Sequence, residues 1–141
     1  MVQNVKIKPM LVYLGKDQVQ IQQITCVADV ASSLQNKYFL FHDSAGAKHY
    51  AWFNVATLGV DPAPAGGWTG HAVAISSGAT ATQVASALAA VLDVVSGFDA
   101  TSSGYVVTLT ATAFGFAQQA RDNNTGFAFK VTQLGMLEKE A

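Results

Sequence analysis

Apolar and polar residues alternate with a period of two along most of this chain, and one stretch breaks the rule with a helical spacing. Val5, Ile7, Leu11 and Tyr13 fall on one side of an extended segment, with Lys6, Lys8 and Val12 on the other. Pro9 removes a backbone donor from that run, which predicts an edge or bulged strand. Gly15-Lys16-Asp17 reads as a turn, and Val19, Ile21 and Ile24 open a second strand whose period slips at Gln22-Gln23, where a bulge is expected. Residues 29–36 are small and polar and read as a connector.

The clearest hairpin follows. Tyr38-Phe39-Leu40-Phe41-His42 and His49-Tyr50-Ala51-Trp52-Phe53 flank the loop Ser44-Ala45-Gly46-Ala47. If Asp43 faces Lys48 across that loop, Phe39, Phe41, Tyr50 and Trp52 share one face. Tyr38, Leu40, His42, His49, Ala51 and Phe53 then share the other. Both faces are apolar, so the hairpin is expected at the centre of a sandwich or with one face against another subunit. Residues 57–70 form the longest irregular stretch, around Asp61-Pro62-Ala63-Pro64 and Trp68, and His71 to Ser76 reads as a short strand with Val73 and Ile75 inward.

Residues 80–96 carry the helical spacing. Thr80 and Gln83 match a capping box, Val84, Leu88, Val91 and Val95 form a stripe, and Gly97 is placed to end the helix. Ala81, Ala85, Ala89 and Ala90 leave it with little polar surface. Two more alternating runs, Tyr105 to Thr112 and Phe127 to Thr132, are separated by a polar loop. The expected fold is α+β and mainly β: an antiparallel sandwich or barrel-like sheet with one helix, about 80–96, packed on it. The chain, 1–141, reads as a single domain, with 1–14 as an N-terminal arm or edge strand, 56–70 as an extended loop and 134–141 as a tail.

Composition narrows the function. Half of the 141 residues are hydrophobic and 12% are charged, about half the usual share, with a net charge of −1. That argues against intrinsic disorder and against a nucleic-acid binder, which needs a cationic stripe. The segment before Met10 has no apolar run and does not read as a signal peptide, and no stretch is long and apolar enough to span a membrane. A soluble chain made in a reducing compartment is expected. Cys26 is the single cysteine, which excludes an intrachain disulfide and a cysteine-based zinc site. His42 and His49 would face each other across the hairpin, near Asp43 and with His71 later in the chain, yet a metal site needs a third ligand. No nucleophile elbow, phosphate loop or zinc-protease motif occurs, so neither a catalytic residue nor a cofactor is expected.

From about residue 29 to 126 the chain resembles a domain of tailed-bacteriophage virion structural proteins. The resemblance rests on an ordered series: Ala28-Asp29-Val30-Ala31-Ser32-Ser33-Leu34, Lys37-Tyr38-Phe39, Tyr50-Ala51-Trp52-Phe53-Asn54-Val55, Gly59-Val60-Asp61-Pro62-Ala63-Pro64-Ala65-Gly66, Val73-Ala74-Ile75, Thr82-Gln83-Val84-Ala85-Ser86-Ala87-Leu88 and Asn124-Thr125-Gly126-Phe127. It implies a structural, non-enzymatic virion component made in the host bacterial cytoplasm. Within that family the chain is most similar to a tail tube subunit, whose copies form stacked rings, as in a hexameric tube, beside a tail sheath and baseplate. DNA passes through such a tube without specific binding. A capsid decoration protein or a fibre or baseplate binding module is the alternative. Asp61, Pro62, Pro64 and Trp68 of the loop, Tyr50 and Trp52 of the hairpin and Ala85 and Ala89 of the helix are the candidate inter-subunit contacts.

Overall fold

A computed structural model describes residues 17–138. Eight strands and one helix follow in the order β1 (Val19–Thr25), β2 (Tyr38–His42), β3 (Lys48–Val55), β4 (Thr69–Ile75), α1 (Ala81–Leu92), β5 (Phe98–Ser103), β6 (Val106–Phe114), β7 (Arg121–Asp122) and β8 (Ala128–Gln133). They make two four-stranded sheets, ordered β5-β6-β1-β8 and β4-β3-β2-β7. The sheets enclose one core, so the fold is α+β and mainly β, a sandwich with one helix among the described residues. The expected first strand, the arm over 1–14 and the end of the expected tail lie outside the described residues. The described part of that tail is not free: Gln18 pairs with Met136, and Gly135 is buried. A methyl group on Gly135 would fall 1.7 Å from the Gly115 carbonyl oxygen, so the two backbones meet where no side chain fits.

Strand β1 buries alternate residues, and the first two are glutamines. Gln20, Gln22, Ile24 and Cys26 point inward, while Val19 and Ile21 are half-buried on the other face. The expected slip at Gln22-Gln23 is therefore misplaced. The register irregularities sit between Val19 and Ile21 against β6 and between Ile21 and Gln22 against β8. Burying an amide is costly unless it is bonded, and both are. Gln20 donates to the Ala117 carbonyl at 2.6 Å and accepts from the Ala117 N–H at 3.0 Å; Gln22 accepts from the Ala120 N–H at 2.8 Å.

The hairpin register differs from the expected one by a single residue. His42 pairs with Lys48, Phe41 with His49 and Phe39 with Ala51, which makes the loop 43–47. A shift of one residue turns every side chain of one strand to the opposite face. The core face thus carries Phe39, Phe41, His49, Ala51 and Phe53, and the outer face Tyr38, Leu40, His42, Tyr50 and Trp52. β4 lies parallel to β3, with Phe53 beside Val73 and Val55 beside Ile75, so this sheet is mixed where a wholly antiparallel one was expected. Val73 and Ile75 point inward as their alternation predicts.

Thr80 caps α1 with the reciprocal box that the sequence predicts, its hydroxyl accepting from the Gln83 N–H while the Gln83 amide oxygen accepts from the Thr80 N–H. The helix stops at Leu92, not Ser96. Asp93 ends it because its carboxylate accepts the Ala100 N–H at 2.9 Å and draws the chain into β5. α1 packs against β5 and β6 of one sheet and β4 of the other, closing one side of the sandwich. Ala85 and Ala89 sit in that packed face, 0% and 6% exposed. They are core residues, and their expected role as inter-subunit contacts does not hold in this fold. Strand β5 escaped the sequence reading altogether, since only Phe98 and Ala100 of its six residues face inward.

Replacing Gln22 with Leu should destabilise the domain by about 1–3 kcal/mol, because it strands the Ala120 N–H in the core. The same change at exposed Gln23 should stay within about 0.5 kcal/mol. Urea denaturation midpoints of the two variants check this.

Candidate functional site

A parallel β3–β4 pair needs a long crossover, and residues 56–68 supply it without a helix. This segment runs over the outer face of its own sheet. The Asn54 side chain accepts from the Gly59 N–H at 2.8 Å, and Asn36 from the Val60 N–H at 2.7 Å. Asp61 accepts from the Tyr50 hydroxyl at 2.6 Å and from the Ala63 N–H at 2.9 Å. Gly70 is required at the crossover's end, since a Cβ there would fall 2.4 Å from the Tyr50 ring. Trp68 stands edge-on to His42, and the Lys48 ammonium lies 5.4 Å from the centre of its ring while donating to the Gly66 carbonyl at 3.0 Å.

The crossover leaves Tyr50 4% and Trp52 8% exposed. Their apolar face is therefore covered by their own chain and offers nothing to a neighbouring subunit, contrary to the sequence expectation. Burial, reinforced by the bond to Asp61, pushes the Tyr50 phenol up to about 12. Asp61 is exposed but committed to Tyr50; Pro62, Pro64 and Trp68 are half-buried. The 56–70 segment is thus part of the folded unit.

The histidines regroup once the register is corrected. His42 lies on the outer face and His49 on the inner, so they do not face each other across the hairpin. His49 instead meets His71 of β4, Nδ1 to Nε2 at 3.1 Å. On its other side the Asp43 carboxylate lies 3.6 Å from His49 Nε2, too far for a hydrogen bond but close enough for attraction. Asp43 is fixed by accepting the Ala45 and Ala47 N–H groups at 3.0 and 2.9 Å. Phe41 stacks on His49, its ring centre 5.1 Å away, and Phe98 meets it edge-on. Across the 3.1 Å between His49 and His71 one ring nitrogen donates a hydrogen bond and the other accepts it. Burial lowers the His71 pKa, and the neighbouring His49 lowers it further. His42 is lowered by burial and by Arg121, Lys48 and His49, with Asp43 opposing.

Beside this chain of groups lies an open groove of about 480 Å³, lined by His42, Asp43, Ser44, Phe116 and Gln118 among others. Phe116 and Gln118 come from a stretch that reads only as a polar loop, so nothing in its pattern could mark them. Among the described residues no three histidine, cysteine or acidic side chains converge as a metal-binding set. Cys26 is buried, and burial pushes its thiol up to about 12, which leaves it protonated and unreactive. Comparison of the chain with protein-family models, with curated proteins and with solved structures found no match.

Two outcomes follow from this geometry. Tyr50→Phe should cost about 1.5–3 kcal/mol in urea denaturation, the worth of a hydrogen bond to a charged group. The lowered His42 and His71 pKa values mean that the unfolded chain binds more protons than the folded one as pH falls below the ordinary histidine value of 6.5. Their contribution to stability is complete above pH 6.5 and is lost below it. Denaturation midpoints measured at pH 7.5 and 5.5 should show that loss, and His71→Gln should make it smaller.

Proposed function

We propose that this protein is a self-assembling structural subunit of a tailed-bacteriophage virion, in the role of a tail tube component. The observation that carries the reading is the surface left after folding. Burial of the hairpin's outer face and of the helix alanines accounts for much of the apolar sequence. Ten large hydrophobic side chains nevertheless remain between 38% (Val27) and 82% (Val94) exposed among the described residues. A chain with only 12% charged residues has little charged surface to offset them, and exposed apolar surface of that extent supports a surface that meets protein. The resemblance of residues 29–126 to virion structural domains supplies the class of assembly. The low net charge suits a wall past which DNA slides without being gripped.

The groove beside His42 and Phe116 supports a second reading, a decoration or fibre module that holds a partner segment there. Negative-stain microscopy and sedimentation of the purified protein distinguish the two. Tubes or stacked rings are expected as concentration rises through the micromolar range. A species that stays monomeric at several hundred micromolar overturns the assembly reading.

A further inference from the structure

The exposed hydrophobic residues are not scattered. The hairpin loop 43–47 defines one end of the sandwich: the Ser44 hydroxyl reaches the Ala113 carbonyl at 3.1 Å, and Gly97 abuts Asp43. β6 and α1 finish at this end and β1 starts there, which brings Phe114, Phe116, Leu134, Leu137 and Val94 to it. Gly115 packs on Leu137, and Gln18 donates to the Leu134 carbonyl at 2.5 Å. β1, β3 and β4 finish at the opposite end. There the buried Asp29 carboxylate accepts the Leu34 and Gly78 N–H groups, both at 2.9 Å. Val27, Val30, Leu58, Val60 and Tyr105 are the exposed large hydrophobics of that end; Cys26 donates to the Tyr105 carbonyl and Leu58 to the Val55 carbonyl.

We infer that two copies of this chain join head to tail, the Phe114–Phe116–Leu137 end of one against the Leu58–Val60–Val30 end of the next. The inference rests on the self-assembly reading and specifies its interface. Scaled to side-chain areas of ~150–250 Å², the fractional exposures give each end on the order of 500 Å² of apolar surface. That is a large part of the ~800 Å² that one partner contributes to a standard interface. Charge favours unlike ends. Among the described residues Asp17, Asp43, Asp93 and Glu138 lie at the first end with Lys48, whereas Lys37 and the buried, hydrogen-bonded Asp29 lie at the second. Joining two first ends would bring the same carboxylates together twice. The sides offer less: α1 closes one, and β7 lies against β8 on the other. A head-to-tail contact propagates, closing into a ring or continuing as a filament according to the rotation between copies.

The test uses two doubly substituted chains, one with Phe116→Asp and Leu137→Asp, the other with Leu58→Asp and Val60→Asp. All four positions are exposed, and circular dichroism checks that both variants fold. Sedimentation velocity is run at a concentration where the unsubstituted protein is assembled. Each variant alone should be monomeric, its association weakened by on the order of 30-fold or more. Their equimolar mixture should give dimers and nothing larger, because one sound end from each remains to pair. A variant that still dimerises alone shows like ends meeting and overturns the inference. If both assemble like the unsubstituted chain, the inference fails while the assembly reading stands. An unsubstituted chain that never assembles removes both. Should a charged variant misfold, Leu137→Cys and Leu58→Cys chains treated with a short bismaleimide decide the matter. Cross-links between the two chains support the head-to-tail contact; cross-links within either alone overturn it.

Discussion

The parallel pairing of β3 and β4 is the constraint on which the rest of the molecule depends. Antiparallel neighbours can be joined by a tight turn, but parallel ones require the chain to travel back the full length of the strand. Here the return path, residues 56–68, crosses the outer face of the same sheet. That single decision covers Tyr50 and Trp52, requires a glycine at position 70 where Tyr50 leaves no room for a side chain, and sets His71 beside His49. A hairpin with two apolar faces has one in the sandwich core and the other under its own connection. The apolar surplus that seemed to call for a second subunit at this hairpin is consumed within the chain.

Elsewhere side-chain amides and carboxylates stand in for strand pairing. Residues 115–120 cross the mouth of the sandwich without forming a ladder, and their backbone groups would be orphaned in a dry interior. Gln20 and Gln22 satisfy them. At the other end Asp29 does the same for Leu34 and Gly78, binding the 26–36 connector to the segment that follows β4. Each such group is costly to bury and costs more to leave unpaired. These polar knots therefore fix which irregular segment lies where, a task that apolar packing performs poorly because it has no direction.

What could be read from the sequence divides along the same line. Local signals were sufficient for α1's start, where Thr80 and Gln83 act within one turn, and for β4, β6 and β8, whose alternation is uninterrupted. Long-range bonds were invisible. The helix ends early because Asp93 prefers a backbone donor in β5, although Val95 continues the stripe. The slip in β1 seemed to lie at Gln22-Gln23 only because a buried glutamine was not expected. The hairpin register failed by one residue, since Asp43 engages Ala45 and Ala47 inside the loop instead of facing Lys48. That one residue separated His42 from His49. Ala85 and Ala89 were misassigned for a different reason: alanine carries no sign of whether it faces a sheet or a neighbour, and here small size lets α1 approach both sheets.

The edges of the sheets bear on how copies can meet. An edge strand offers unpaired backbone groups to any other strand, and proteins that avoid lateral pairing block it. In β5 the Asp93 carboxylate occupies the Ala100 N–H, and in β8 the Gln119 amide takes the Phe129 carbonyl at 3.2 Å. Both terminal strands of the first sheet thus carry a side-chain block. In the second sheet β4 is packed by α1, and β7 is only two residues long. Lateral addition of strands is discouraged on each side while both ends keep their exposed hydrophobics. Had solubility as a lone particle been the only constraint, the ends could have been polar as readily as the edges were guarded. In the head-to-tail assembly proposed above, the contrast between them gives association a direction along the strands.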